Sequence, residues 1–471
     1  MSVYKPCDVR GSAQAELTPE LYRSWGRALG YRVEPGAKFV VGGDVRQSTP
    51  QFLAALVDGL CEAGVDVVDL GVLPTPMVYY ARQRLQAAGC AMVTASHNPA
   101  EINGLKWMIG TQPTTQEDVE ALRRAVETPD SPPRRTHTTP RTLDISFDYV
   151  AALQETWVDA LEAQRRAVLD PMHGCFAVRA RRYLHAIFPQ CLFSTIHDTP
   201  DATFGGHSPD CSRPHLLEEL CEAVYRERAH LGVAFDGDGD RIALVDGEGM
   251  VLGAEEATWV LLHTLGHRLR GQPFVHDVKF SDRIGEAARE LGAEPVAERS
   301  GHAFIRARMR QADALFGAEV SGHYFFQALD GGDDGLYTAC WLIAYLARTG
   351  ESLAHLRREC PPVYITPDLR VPLEPPQQQS AIDQARAAWS EYPQQTIDGV
   401  RIDTPAGWVL VRPSVTESAL TFRFESRDWP ALDDLVDRFC GSLPQLGDEI
   451  WSRYRSAMGT ARRRSQNGIG A

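Results

Sequence analysis

Three carboxylates at alternate positions, Asp236-Gly237-Asp238-Gly239-Asp240, can converge on one cation because the glycines between them let the backbone curl. Ligands that are all hard oxygens point to Mg²⁺ or Ca²⁺. An EF-hand loop is excluded, since its sixth and twelfth positions need Gly and Glu and here hold Arg241 and Gly247. The flanking runs Leu231 to Phe235 and Ile242 to Val245 read as buried strands, so the loop is not simply a solvated acidic turn. Three carboxylates leave coordination positions on Mg²⁺ open, which suits a phosphate oxygen.

A second group with chemical capacity is Thr94-Ala95-Ser96-His97-Asn98-Pro99, directly after the apolar strand Gly89 to Val93. Two readings are open for Ser96. It is a covalent nucleophile at the carboxyl edge of a sheet, where open α/β folds bind ligands, or it is the N-cap of a strand-to-helix turn. Asn103, Gly104 and Lys106 follow within reach of it. A third loop, Gly317-Ala318-Glu319-Val320-Ser321-Gly322-His323, offers a carboxylate, a hydroxyl and an imidazole, groups that suit sugar hydroxyls; Arg299-Ser300-Gly301-His302 adds a second histidine. The fourth, Arg412-Pro413-Ser414-Val415-Thr416-Glu417, joins a guanidinium to two hydroxyls between two strands and can grip a phosphate.

The elements that must position these loops alternate. Strand, helix and strand are predicted at Lys38 to Val41, Pro50 to Ala63 and Val65 to Leu70. The pattern returns at Ala167 to Asp170, Val178 to Ala186 and Leu192-Phe193, and again at Pro273 to Val275, Asp282 to Leu291 and Glu294 to Val296. Such alternation implies parallel pairing through crossover helices. Three α/β domains are therefore expected, with mixed, mainly parallel sheets. From about Tyr364 the strands Val400 to Asp403, Trp408 to Arg412 and Leu420 to Phe424 alternate in polarity, and a helix near Leu432 to Cys440 follows. A smaller antiparallel α+β domain is expected there. Proline-rich stretches at Pro129 to Pro140 and Pro361 to Pro376 mark boundaries, giving domains at 1–140, 141–252, 253–362 and 363–471.

Composition bounds the partners. The chain has 471 residues, 44% hydrophobic and 23% charged, with a net charge of −14, which disfavours nucleic acid or an anionic membrane surface. An anionic substrate must then be held by local Arg and Lys. The one basic run, Arg462 to Arg464, reads as a disordered tail. Ten cysteines, none spaced Cys-x-x-Cys, read as reduced buried thiols. With no apolar run long enough to cross a bilayer and no signal-like start, the expected location is cytoplasmic.

The four loops together resemble the α-D-phosphohexomutase family, in particular its bacterial phosphomannomutase/phosphoglucomutase branch. The likeness begins at Tyr4-Lys5-Pro6-Cys7-Asp8-Val9-Arg10-Gly11 and continues through Gly43-Asp44-Val45-Arg46 and Leu73-Pro74-Thr75-Pro76, with one loop per domain around a central cleft. The resemblance implies an intramolecular phosphotransferase interconverting hexose 1-phosphate and hexose 6-phosphate of mannose or glucose. Ser96 would carry the phosphoryl group and also ligate one Mg²⁺ with Asp236, Asp238 and Asp240. Arg10, Lys106 and Arg241 would add positive charge, and His97 and Asn98 would steady the loop. His323, with Lys106 as runner-up, would move the proton. Glu319 and Ser321 would bind sugar hydroxyls; Arg412, Ser414 and Thr416 would hold the remote phosphate, with Lys279 and His302 lining the pocket. A hexose 1,6-bisphosphate is the implied activator, sugar phosphates are the partners, and a monomer or homodimer is expected. Four departures, Cys7, Ile102, Val415 and Ser418, stand where the family usually has Tyr, Tyr, Asn or Gly, and Pro. Phosphoglucosamine mutases typically carry Ala where this chain has Gly239. That mutase, a Ser-His hydrolase built on Ser96 and His97, and a catalytically silent sugar-phosphate sensor are the competing readings.

Overall fold

The computed structural model describes residues 3–128, 135–160, 162, 164–414 and 418–466. It folds as two compact units. One comprises the chain up to Val251 with His302–Gly317 and Ser321–Leu356; the other comprises Leu252–Gly301, Ala318–Val320 and the chain from Arg357 onward.

The first unit opens with a mixed sheet of β1 (Val9–Ser12), β2 (Lys38–Gly43), β3 (Asp66–Val72), β4 (Gly89–Val93), β5 (Ile102–Ile109) and the two-residue β6 (Gln112–Pro113) and β7 (Arg141–Thr142). Its order is β1-β5-β4-β2-β3-β7, with β6 against β5. β2 runs parallel to β3 and β4, as the alternating pattern requires, while β5 pairs antiparallel with both β4 and β1. β4 is buried throughout, and β2 from Phe39 onward, because helices cover this sheet. Helices Pro19–Gly30 and Thr49–Glu62 bury Tyr22, Trp25 and Phe52, and the rings of Tyr22 and Phe52 stack with centroids 4.4 Å apart. Each such buried ring contributes about 1.5–3 kcal/mol. Thr18 starts the first helix by accepting from the Leu21 amide, and Pro19 occupies its first turn.

Register fixes the site-bearing face. Lys106 lies opposite Met92 and Arg10 opposite Gly104, so period-two alternation sends Arg10 and Lys106 to the same face. Gly104 must be glycine, because a Cβ there would meet the Val9 carbonyl oxygen at 2.0 Å.

A second sheet follows in the order β11-β10-β8-β9, built from β8 (Arg166–Asp170), β9 (Leu192–Thr195), β10 (Leu231–Phe235) and β11 (Ile242–Asp246). β8 is parallel to β9 and β10, whereas β10 and β11 form an antiparallel hairpin paired from Phe235↔Ile242. The carboxylate loop is therefore the six-residue tip between two buried strands. Gly239, at φ 78°, makes the turn that other residues resist. In the same unit Tyr324–Phe326 pairs antiparallel with Gly332–Asp333, just after His323.

The second unit contains the third strand-helix-strand repeat: Pro273–Asp277 runs parallel to Glu294–Glu298, with helix Asp282–Glu290 between them. It also contains the C-terminal six-stranded sheet, in which every pairing is antiparallel. Residues of helices Pro375–Ala388 and Trp429–Ser442, among them Ile382, Leu435 and Phe439, join Val409, Val411 and Phe422 in one apolar core. The basic run Arg462 to Arg464 departs from expectation: its backbone continues the helix Gly447–Gln466 instead of trailing as an unstructured tail. The expected linker at Pro129 falls outside the described residues as far as position 134. Among the described residues no helix is long and apolar enough to cross a membrane, and all ten cysteines are free.

Candidate active site

Ser96 lies three residues beyond β4, on a tight loop that returns the chain as antiparallel β5. No helix begins there, so the N-cap reading fails. The residue is 1% exposed and holds φ 53°, a left-handed conformation that costs a non-glycine residue about 1–3 kcal/mol and persists only where its surroundings enforce it. Arg46 supplies that enforcement. Its guanidinium donates to the carbonyls of Ser96 at 2.7 Å, Asn98 at 2.8 Å and Ile102 at 2.9 Å, and to that of Pro99, while Asp44 holds its Nε at 2.9 Å. Arg10 steadies the loop from the neighbouring strand, donating to Asn98 Oδ1 at 3.0 Å and to Asp8 at 2.8 Å.

The serine hydroxyl donates to Asp236 Oδ2 at 2.8 Å, and His97 Nδ1 lies 3.3 Å from it. Burial and the charges of Arg241 and Arg10 push the His97 pKa well below the ordinary histidine value. Among the described residues no carboxylate orients that ring. Ser96 and His97 thus lack the third group a Ser-His hydrolase needs.

Carboxylate oxygens of Asp236, Asp238 and Asp240 lie within 4.8 Å of one another, all buried. Asp236 Oδ1 accepts the Gly239 and Arg241 amides, which fixes the curl of the loop. Lys106 Nζ reaches Asp238 at 2.9 Å and Asp240 at 2.5 Å. Burial opposes the lysine's charge, but these two carboxylates outweigh it and raise its pKa well above the usual value. Asp236 moves the other way from an ordinary carboxylic acid: burial, then the charges of Asp238 and Asp240, raise its pKa strongly. Asp238 Oδ1 and Asp240 Oδ1 are buried atoms without a hydrogen-bond partner among the described residues. A crowded oxygen set with spare lone pairs fits a hard divalent cation.

Arg241 Nε donates to His323 Nε2 at 2.9 Å, and His323 Nδ1 lies 2.6 Å from Asp333 Oδ2 and 3.7 Å from Asp240 Oδ1. Burial opposes protonation of His323, yet Asp240 and Asp333 raise its pKa above the ordinary value. His302 stacks on it with ring centroids 5.7 Å apart, and burial, then Lys106, bring its pKa down to about 4. The first unit therefore gathers Arg10, Ser96, His97, Lys106, the three aspartates, Arg241, His302 and His323. Ser321 belongs to the same unit, its buried Oγ without a hydrogen-bond partner among the described residues.

Lys279, Glu319, Arg412 and Ser414 belong to the second unit. Arg412 is buried against Asp398 at 2.5 Å; Ser300 joins Asp398 to Asp277, and Lys279 Nζ lies 3.8 Å from Asp277 and 3.2 Å from Asp368. Arg423 also contacts Asp368, at 3.5 Å. Glu319 Oε2 is buried and unpartnered among the described residues. Thr416 and Val415 lie outside the described residues.

Several contributors were not singled out from sequence. Asp333 faces His323, Thr75 donates to Asp238 Oδ2 at 2.6 Å, and Arg46 holds the serine loop. Thr75 and Arg46 sit in the motifs Leu73-Pro74-Thr75-Pro76 and Gly43-Asp44-Val45-Arg46, which signal their importance but not their contacts. No local signal marks Asp333.

An α/β scaffold that sets a serine hydroxyl against a buried carboxylate triad, ringed by Arg10, Lys106 and Arg241, defines an enzyme of the phosphoryl-transfer class. Over residues 3–132, 147–249, 253–364 and 369–442 the chain matches, in order, the phosphoglucomutase/phosphomannomutase alpha/beta/alpha domains I, II and III and the C-terminal domain. It is 32% identical to the phosphomannomutase/phosphoglucomutase of Pseudomonas aeruginosa, over 95% of this chain and 97% of that one, and 30% identical to a phosphomannomutase of Escherichia coli, over 92% and 96%. The crystal structure of a phosphoglucomutase/phosphomannomutase family protein from Burkholderia thailandensis superposes with a TM-score of 0.84 at 30% identity, covering 94% of this chain and 96% of that one. The chain belongs to the phosphoglucomutase/phosphomannomutase family and has its four-domain α/β architecture, with the antiparallel sheet in the C-terminal domain.

Proposed function

We propose that this enzyme interconverts the 1- and 6-phosphates of mannose or glucose through a phosphoserine at Ser96 and a hexose 1,6-bisphosphate intermediate. The observation that carries the reading is the Ser96 hydroxyl, 2.8 Å from Asp236 of a buried carboxylate triad. In the forward step the Ser96 Oγ–P bond breaks as a sugar hydroxyl oxygen bonds to phosphorus, and that hydroxyl's proton leaves to a base. The bisphosphate then reorients. Its other phosphoryl group returns to Ser96 Oγ, and the freed sugar oxygen takes the proton back.

Ser96, Asp236, Asp238 and Asp240 would hold one Mg²⁺, which supplies charge neutralisation at the phosphoryl group. Arg10, Lys106 and Arg241 place three further positive charges around it, with His97 and Asn98 shaping the loop. His323 is the assigned proton carrier, because Asp333 at Nδ1 holds the Nδ1–H tautomer, makes the ring more basic and leaves Nε2 as the nitrogen that accepts the proton. Nε2 is occupied by Arg241 in this structure, so the imidazole is released when that guanidinium turns to a phosphoryl oxygen. Lys106 is the reserve assignment, held protonated by two aspartates. Glu319 and Ser321, each with a buried oxygen unpartnered among the described residues, suit sugar hydroxyls, while Arg412, Ser414 and Thr416, with Lys279 and His302, would take the remote phosphate and line the pocket. The same reading includes domain limits at 140, 252 and 362, a hexose 1,6-bisphosphate activator, a cytoplasmic location and a monomer or homodimer.

Coupled assays on mannose 1-phosphate, glucose 1-phosphate and glucosamine 1-phosphate, with Mg²⁺ and glucose 1,6-bisphosphate, test the proposal. Conversion of mannose or glucose phosphate is expected; no conversion of any of the three contradicts it. Arg412→Lys keeps a charge but loses the two-pronged grip, so KM should rise about tenfold while kcat stays within about threefold. Steady-state kinetics read this directly, and a kcat loss with unchanged KM would remove Arg412 from the remote-phosphate role.

A further inference from the structure

Within the first unit, away from the serine loop, a cavity of about 320 Å³ is lined by Tyr79, Tyr80, Arg82, Tyr149, Leu153 and Arg306 among others. Arg306 is 3% exposed, and no hydrogen-bond or ion-pair partner of its guanidinium is found among the described residues. Its one contact of note is the face of Tyr79, 4.6 Å from ring centroid to Cζ. Arg82, 5% exposed, donates to the Gly110 carbonyl at 2.9 Å, but its Nε is also unpartnered among the described residues. Its other charged contact is Asp330 at 3.4 Å, a carboxylate already held closely by Arg310. Burial lowers the Arg82 pKa, and the charges of Arg306 and Arg310 press the same way.

Arg82 and Arg310 therefore share one carboxylate, Asp330, while Arg306 lines the cavity without an ion pair among the described residues. A buried charge without a partner is costly, and proteins retain such groups where something else completes them. Much of the rest of the wall is aromatic or apolar, since Tyr80 and Tyr149 meet edge to face at 5.5 Å beside Leu153 and Leu329, with Gln83, Arg84 and Thr156 as polar lining. Tyrosine rings beside leucine side chains favour an aromatic body over an aliphatic one. Asp333, which lies against His323, and Asp334, which accepts from the Tyr149 hydroxyl, line the same cavity and disfavour an anion beside them, which leaves the guanidinium groups as its anchor.

We propose that this cavity binds a small organic anion, a carboxylate or phosphate monoester on a flat aromatic body, with its oxyanion on Arg306 and Arg82 and its ring against Tyr80, Tyr149 and Leu153. The site does not depend on the mutase reading, because binding is measured without turnover.

Calorimetric titration of the full chain with benzoate, phenyl phosphate and inorganic phosphate, with sugar phosphates absent, tests it. Benzoate or phenyl phosphate should bind at one site more tightly than inorganic phosphate; whichever is tighter identifies the oxyanion. Arg306→Met should weaken that binding about tenfold or more and leave the melting temperature equal or raised, since it replaces an unpaired buried charge with an apolar chain of similar length. Ala152→Phe, which fills the cavity while keeping Arg306, should also abolish binding, and Arg412→Lys should not change it. Failure of both aromatic anions to bind the folded protein overturns the proposal. So does unaltered binding in Arg306→Met and Ala152→Phe.

Discussion

Ser96→Ala is expected to lower kcat for hexose phosphate interconversion by about 10⁴-fold or more while leaving the protein folded. The size of the effect follows from the absence of a substitute. Thr94, the other hydroxyl on the loop, is committed to Asp44 at 2.8 Å and to the Ser96 amide at 2.9 Å. His97 is half-buried near the cations Arg10 and Arg241, and no second hydroxyl contacts Asp236 among the described residues. Stability should change little, by about 1 kcal/mol, because only the bond to Asp236 is lost. Coupled assays and a thermal melt on the same preparation separate the two effects. Retention of more than about one hundredth of wild-type kcat would remove Ser96 from the phosphoryl-carrying role.

Arg46→Met is expected to have the largest effect on stability, about 3–5 kcal/mol, together with loss of turnover. Its side chain is fully buried and spans Asp44 and four carbonyls of the 96–102 loop. Methionine would strand both the carboxylate and the carbonyls, and nothing would then hold Ser96 at φ 53°. Asp44→Asn combined with Arg46→Met removes the stranded charge, so urea melts should show part of the stability returning while turnover stays lost. If the double variant regained activity, Arg46 would be a structural residue only. The two readouts part company because stability depends on charge balance, whereas turnover depends on the loop's shape.

The chemistry of the site was legible wherever it was local in sequence. The Asp-Gly-Asp-Gly-Asp loop announces itself because curl, charge and flanking apolar strands all lie within a few residues. The Ser96 loop was ambiguous for a physical reason: a polar turn after a buried strand starts a helix or returns as a strand with similar residues. What decides is the pairing of Ile102–Ile109 with Gly89–Val93, a choice made by tertiary burial. Arg46 acts on carbonyls some fifty residues ahead, and Asp333 reaches His323 only through the turn of a hairpin, so no periodicity could have shown either contact. Arg306 was invisible in the same way, since a buried Nε without a hydrogen-bond partner among the described residues is a property of the packed protein.

The α/β alternation was read correctly as parallel pairing in all three repeats, and the C-terminal strands as antiparallel. Element ends moved by one to three residues, as with the helix that follows the last strand, which runs Trp429–Ser442 and not only from Leu432 to Cys440. Caps explain the shift, for Asp428 accepts the Ala431 amide and starts that helix early.

The central claim is that Ser96 is a phosphoryl carrier, and peptide-resolved mass spectrometry tests it most directly. After incubation with glucose 1,6-bisphosphate and Mg²⁺, the peptide containing Ser96 should gain the mass of one phosphoryl group and lose it again when a hexose monophosphate is added. A chain whose Ser96 peptide stays unmodified through both incubations, or whose added phosphoryl group maps to another residue, contradicts the account.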